Sequence, residues 1–209
     1  MTNNKFLSIL TRTHKRPKAL RRCLKSLNKQ TKKNFNVIII SDIKEDVVET
    51  IVPEYPDLSI TIKHVEPLGY PACNTYFNIV RNAVTSEYVI FLDDDDEIIY
   101  KNYCKSLEHI SIKNKHPAAI ISKALFPGKK VIPDDGSWKK VPSICHISGL
   151  NFCVRTDIYK KCDWPKSKCG DFYFISSVFN SIDWKKDVYW YNKITTSPKS
   201  YPGYGEEEK

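Results

Sequence analysis

The run Glu87-Tyr88-Val89-Ile90-Phe91-Leu92-Asp93-Asp94-Asp95-Asp96-Glu97 sets the reading of this chain. Its five apolar or aromatic residues, Tyr88 to Leu92, show no polar alternation. Such a run reads as a strand buried on both faces, as in a parallel sheet covered by helices. Four aspartates, Asp93 to Asp96, then fall at the carboxyl end of that strand, where open α/β sheets bind their ligands. Adjacent carboxylates repel one another, and a divalent cation among them offsets that cost. An all-oxygen donor set suits magnesium, manganese or calcium better than zinc. An acidic run can also be a solvated turn, but its place directly after a buried strand favours a site.

Upstream of this strand the chain alternates strands and helices. Phe6 to Leu10 reads as a first strand and Thr11 to Arg16 as a loop. Pro17 opens a helix whose apolar stripe is Leu20, Cys23, Leu24 and Leu27. Phe35 to Ile40 reads as a second strand ending at Ser41-Asp42, parallel to the first with a right-handed crossover. A helix from Ile43 to Ile51, a strand from Leu58 to Val65 and a helix from Ala72 to Val84 complete a doubly wound first half.

Downstream, Ile99, Tyr103, Leu107 and Ile110 mark another helix, and Ala118 to Ser122 a strand. Phe126 to Ser143 is interrupted by proline and glycine, a loop or hairpin of the kind that carries function. Ile147 to Val154 reads as a strand, Thr156 to Lys161 as a short helix and Asp171 to Asn180 as a helix. Val188 to Ile194 reads as a last strand, with a frayed tail from Pro198.

The chain has 209 residues, 41% apolar and 27% charged, as expected of one globular domain. Its net charge of +9 allows an anionic partner, whether nucleic acid, phosphorylated donor or membrane surface. The densest basic run, Arg12 to Arg22, contains no aromatic, which disfavours a single-strand stacking platform. Seven cysteines without a C-x-x-C pair argue against a disulfide framework and a zinc site, and for a reducing compartment. No signal peptide and no membrane span are expected, so the expected location is cytoplasmic. The lysine-, asparagine- and isoleucine-rich composition suggests an AT-rich genome.

Four segments together resemble the family 2 glycosyltransferases. Ser8 to Pro17, with Leu20, Leu24, Ser26-Leu27 and Gln30, looks like that family's first strand and helix. Ile38-Ile39-Ile40-Ser41-Asp42 looks like its second strand with a terminal aspartate. Arg81-Asn82 before Glu87 to Asp96 is similar to its "ARN … GEY … LD-x-DD" passage. Ser148 to Asp157, then Gly170-Asp171, is similar to its "G-x-x-F-x-x-R" and "E-D" elements, with glycine in place of the acidic residue before the last aspartate.

The resemblance implies a single GT-A (Rossmann-like) α/β domain over residues 1–209, with a central, mostly parallel sheet flanked by helices. Residues 1–97 would form a nucleotide-binding half and 98–209 a smaller acceptor-binding half. It also implies a metal-dependent, inverting transfer of a hexose from a nucleotide sugar, most simply a UDP-sugar, to a sugar hydroxyl of a glycan or glycoconjugate. The cofactor would be Mn2+ or Mg2+.

The same resemblance assigns roles to residues. Asp93 would touch the ribose and metal-bound water, Asp95 would ligate the metal and Asp96 would assist, with the register Asp94/Asp96 left open. Asp42 would accept the uracil N–H, its alternative being a helix cap. Thr11 and Thr13 would line the base; Arg12 and Arg81 are candidates for phosphate or base contact, the alternative being a surface arginine, and Arg155 is a candidate for the donor phosphates or for holding its strand to its neighbours. Asp171 is the expected general base, a helix N-cap being compatible, with Asp163, Asp183 and Asp134 as fallbacks. Asn151 is a candidate sugar contact, and one or two of Trp138, Trp164, Trp184 and Trp190 candidate acceptor platforms.

The five histidines read as structural or exposed, with His146 nearest a site loop. Two other functions are weighed against the transferase. A nucleotidyltransferase would want a glycine-rich phosphate loop after the first strand, and Thr11 to Lys15 has no glycine. A non-catalytic carbohydrate- or nucleic-acid-binding protein on this fold would not need both the acidic cluster and Asp171.

Overall fold

The computed structural model describes residues 5–43 and 47–199. β1 (Leu7–Thr13) leads through α1 (Pro17–Asn28) to β2 (Phe35–Ser41), then through α2 (Val47–Ile51) to β3 (Ile60–His64). α3 (Tyr76–Ile79), flanked by two short 3-10 turns, precedes β4 (Tyr88–Phe91). β5 (Asp96–Ile98), α4 (Tyr103–Lys113), β6 (Ala119–Leu125) and β7 (Val131–Ile132) follow. β8 (Phe152–Arg155), α5 (Thr156–Tyr159), α6 (Gly170–Asn180), α7 (Trp184–Asp187) and β9 (Val188–Pro198) close the described part of the chain.

All nine strands form one sheet, in the order β3-β2-β1-β4-β8-β6-β9-β5, with β7 on β6. The four strands from the first half, β3-β2-β1-β4, are mutually parallel. β8 enters antiparallel between β4 and β6, and β9 runs parallel to β6. The sheet is therefore parallel where the sequence alternates strand and helix, and mixed beyond.

Two apolar cores cover its faces. Tyr88, Ile90 and Leu92 pack with Leu20, Leu24 and Leu107 on the face of α1 and α4. Val89 and Phe91 pack with Phe77, Phe152 and Phe174 on the other. Burial on both sides is why this segment shows no polar alternation.

Several boundaries differ from expectation for identifiable reasons. β1 continues to Thr13 because it pairs with β2 through Ser41, so the loop is shorter than Thr11 to Arg16. The continuous helix expected from Ala72 to Val84 is broken into turns. Asn74 and Asn78 in it hydrogen-bond the backbone of the loop before α6: Asn74 Nδ2 donates to Ser167 O (2.6 Å) and Asn78 Nδ2 to Trp164 O (2.9 Å). The strand expected from Ile147 starts only at Phe152, because Ser148 and Asn151 form a reciprocal cap around a 3-10 turn, Gly149–Asn151.

β9 extends to Pro198, where Asp96 of β5 pairs with it. The frayed tail expected beyond it lies, from residue 200 on, outside the described residues, as do residues 44–46 of the expected second helix. All seven cysteines are free. Among the described residues no helix is long and apolar enough to cross a membrane.

Candidate active site

The acidic run continues β4 beyond the sheet. Leu92 N donates to Leu10 O (3.0 Å) and Asp94 N to Arg12 O (3.2 Å), so the chain stays alongside β1. In an extended chain successive side chains alternate. Leu92 and Asp94 therefore turn toward α1, while Phe91 and Asp93 turn the other way.

Asp94 is fully buried. It accepts from Thr13 Oγ1 (2.8 Å) and from Arg16 Nε (3.1 Å) and Nη2, and Arg16 Nη1 also reaches Asp95 Oδ2 (2.9 Å). Burial works against the Arg16 charge, but Asp94, Asp95 and Asp93 outweigh it and raise its pKa. Burial pushes the Asp94 carboxyl up against the pull of Arg16 and Thr13. The pair is an internal clamp between α1 and the acidic loop.

Asp93 faces a cleft of about 390 Å³, lined also by Arg12, Asn74, Asp95, Asp96 and Asp171. Arg12 grips Asp93 with both ends of its guanidinium, Nε to Oδ1 (2.8 Å) and Nη2 to Oδ2 (2.5 Å). The same guanidinium lies 4.6 Å from the Phe77 ring centroid and donates to Asn74 Oδ1 (2.6 Å). Asp96 Oδ2 accepts from Asp93 N (3.1 Å), which closes the acidic turn. Burial and then Asp93 raise the Asp95 pKa; burial and then Asp95 and Asp93 raise that of Asp96.

Asp171 stands across the cleft in the first turn of α6. Its Oδ1 accepts from Phe172 N (2.8 Å). Burial raises its pKa, opposed by the N–H groups of Phe172 and Gly149. Two glycines keep this wall close. A Cβ on Gly149 would lie 3.2 Å from Trp164 Cη2 and 3.7 Å from Asp171 Cβ, and one on Gly170 would strike Asn74 Nδ2 at 2.6 Å. The glycine that departs from the family's acidic residue is thus required by Asn74.

Asp93, Asp95, Asp96, Arg12 and Asp171 are the expected site residues that the fold brings to one cleft. A hard divalent cation fits the oxygen chemistry of Asp95 and Asp96, whose pKa values are raised first by burial and then by neighbouring carboxylates, the second of which it would offset. Asp93, expected among the ligands, already has both oxygens on Arg12. Among the described residues no three ligand side chains converge on a finished cage. A cation here would therefore be shared with donor phosphates.

Other expectations are corrected. Asp94 serves the internal clamp and does not line the cleft. Arg81 binds Cys162 O (2.7 Å) and Asp163 (2.8 Å), tying down a loop away from the cleft. Arg155 pairs with Asp157 (2.6 Å), and its backbone registers with Tyr88, at the opposite end of β4 from the acidic run. Asn151 is fully buried, donating to Ser122 O (2.8 Å) and Ile132 O (3.3 Å), so it cannot reach a sugar.

The fallback bases are engaged elsewhere, Asp163 with Arg81, Asp183 with Lys186 and Asp134 with Ser137. Trp164 is core, stacked on Phe174 at 4.7 Å with one edge toward the cleft, whereas Trp138 and Trp190 pair with each other at 5.2 Å. Trp184 stacks on Phe179 at 5.9 Å.

Thr11, Thr13 and Asp42 sit behind the cleft. Thr11 is buried, and Thr13 is held by Asp94. Asp42 accepts from Tyr76 Oη (3.0 Å) and meets His14 Nδ1 at 2.7 Å. Sequence reasoning missed Asn74, Arg16 and His14. Asn74 carried no signal, because the recognisable Arg-Asn pair lies at 81–82. Arg16 was legible in principle: period-two alternation from Leu92 sends Asp94 toward the start of α1.

Residues 8–122 match the family model described as Glycosyl transferase family 2. EpsH of Bacillus subtilis (strain 168) is 32% identical over 107 residues, 48% of this chain and 29% of that protein. Residues 1–349 of S. aureus TarS in complex with UDP-GlcNAc superpose with a TM-score of 0.74 at 19% identity, covering 95% of this chain and 59% of that one. The mannosyltransferase PcManGT of Pyrobaculum calidifontis, in complex with GDP-Man and Mn2+, gives 0.68 at 12% identity, covering 95% and 58%. The chain thus spans under a third of that curated relative and about three fifths of the solved chains. A family pattern that begins in β1, runs through the acidic turn and ends in β6 places this chain in glycosyl transferase family 2.

Proposed function

We propose that this domain is a metal-assisted, inverting glycosyltransferase that moves a hexose from a UDP-sugar to a hydroxyl of a glycan or glycoconjugate. The observation that carries the reading is the cleft in which Asp93, Asp95 and Asp96 face Asp171. Residues 1–97 supply most of the donor wall, and residues 98–209 supply Asp171 and the acceptor side. The neighbour that binds UDP-GlcNAc supports a nucleotide-sugar donor, and the one with GDP-Man and Mn2+ supports a metal.

Charge makes the case for the cation. Four carboxylates, Asp93, Asp95, Asp96 and Asp171, line the cleft against Arg12 and Lys168, so a diphosphate entering alone would be repelled. A bound Mn2+ or Mg2+ would act as a Lewis acid on the leaving diphosphate. The protein's own residues do the rest. Arg12 fixes Asp93 toward the donor, Arg16 holds the acidic loop from behind, and Asn74 sets the distance between that loop and α6.

Asp171 takes the acceptor hydroxyl's proton as that oxygen attacks the anomeric carbon. The raised pKa of its carboxyl strengthens it as a base. Its place across the cleft from the acidic cluster suits a single in-line displacement by the acceptor hydroxyl, with inversion. Asp42, at the end of β2, has its two oxygens engaged by His14 and Tyr76 behind the cleft, so no contact with the base is assigned to it.

Calorimetric titration of UDP with and without Mn2+ tests the reading. Manganese-dependent binding is expected in the wild type and its loss in Asp95→Ala. Failure of UDP, GDP and dTDP alike, with metal present, would remove the transferase assignment.

A further inference from the structure

Three cavities adjoin one another, each sharing lining residues with the next. The donor cleft shares Phe126, Ser148, Lys168 and Asp171 with a cavity of about 590 Å³. That cavity shares Lys130 with a groove of about 690 Å³ between the β6–β7 turn and β9. Asp171 thus stands where the acidic donor cleft meets the mouth of a longer track.

The chemistry changes along the track. The middle cavity has apolar walls, among them Phe126, Ile132, Ile144 and Phe172, with Lys130 and Lys168 as its cations. It has few of the carboxamides and hydroxyls that grip neutral sugars. The outer groove carries Lys123, Lys129, Lys130 and Lys193 against Asp134 and Asp135.

Both of those carboxylates are occupied, Asp134 by Ser137 N and Oγ with His146 at 3.5 Å, Asp135 by Lys123 at 3.1 Å. Lys129 and Lys168 are exposed and form no ion pair among the described residues. Such an excess of cations along one channel attracts anions spaced along a chain.

We propose that the acceptor is a phosphate-bearing glycan or polyol chain, threaded from the lysine groove through the apolar cavity so that one hydroxyl reaches Asp171. This rests on the transferase reading above and names its acceptor class. Nucleic acid fits less well, because the groove lining holds no aromatic side chain on which a base would stack.

The test is calorimetric titration with a synthetic glycerol-phosphate oligomer, with maltoheptaose, and with oligo(dT) of equal phosphate number. The expected result is oligomer binding that weakens with salt. It should fall roughly tenfold in Lys129→Glu/Lys193→Glu and by less in Lys129→Gln, whose charge is removed without reversal. UDP affinity with Mn2+, measured on the same proteins, controls for folding.

Maltoheptaose binding as tightly as the oligomer would overturn the proposal, as would oligomer binding indifferent to both variants. Tighter oligo(dT) binding, lost in the same variants, would assign the groove to nucleic acid and overturn it too. Wild type that fails to bind UDP but binds the oligomer would sink the transferase reading alone.

Discussion

Gly170 and Asn74 show how closely the donor wall is built. A methyl at residue 170 would lie 2.6 Å from Asn74 Nδ2, and Asn74 holds Arg12, which holds Asp93. At the start of a helix, Gly→Ala is ordinarily favourable. Here Gly170→Ala is expected to cost about 1–3 kcal/mol of overpacking and to weaken UDP binding with Mn2+. Asn74→Ala added to it should recover stability without recovering UDP affinity. Urea denaturation and calorimetry on the two variants would show this; additive losses would deny the contact.

Asp171 belongs to the same scale. Asp171→Asn should lower kcat by ~10²–10⁴-fold while UDP affinity is unchanged. In the wild type kcat should rise with pH as the Asp171 proton leaves. Because burial raises that pKa, the midpoint should sit above the ordinary aspartate value of about 3.9.

Between elements, Arg16, which precedes Pro17 of α1, forms a buried ion pair with Asp94 beyond β4. Arg16→Met would strand a buried carboxylate and should destabilise by about 3–5 kcal/mol. Arg16→Met/Asp94→Leu should regain much of that, read as the shift of the urea midpoint at constant slope. The elements themselves were largely legible. β1, β2 and β4 are short apolar runs because two cores bury them on both faces, and α1 shows its stripe because one face meets the sheet.

What was not legible was decided by distant partners. The segment Ala72 to Val84 has helical spacing, yet Asn74 and Asn78 bond a loop some ninety residues on and break it. Asn151 has the side chain for a sugar contact, but the turn Gly149–Asn151 buries it against Ser122 O. Arg81 and Arg155 have the right side chain for phosphate but stand on the wrong end of their elements. Of the expected site, the acidic turn and Asp171 were legible; the arginine that orients Asp93 was, and the asparagine that orients that arginine was not.

For the molecule as a whole, the cluster Asp94, Asp95, Asp96 and Asp171 has pKa values raised by burial, and the middle pair also by mutual repulsion. A carboxyl whose pKa rises on folding favours the native state while it is protonated. That contribution is lost as pH rises through the folded pKa. A cation must displace those same protons, so its hold strengthens with pH. The rise in Tm on adding Mn2+ should therefore be larger at pH 8 than at pH 5. An equal rise at both would separate any metal binding from these carboxylates.

The acidic turn is also closed from the far end of the chain. Glu97 pairs with Ser197 across a hundred residues, and Lys199 N donates to Asp95 O (2.9 Å). During synthesis, then, the four aspartates leave the ribosome long before the strand that shapes them. Nascent chains can assemble β1 to β4 early, but the acidic turn must wait for β9. A chain stopped before Thr195 would therefore keep its first sheet while lacking the strand that clasps the acidic turn.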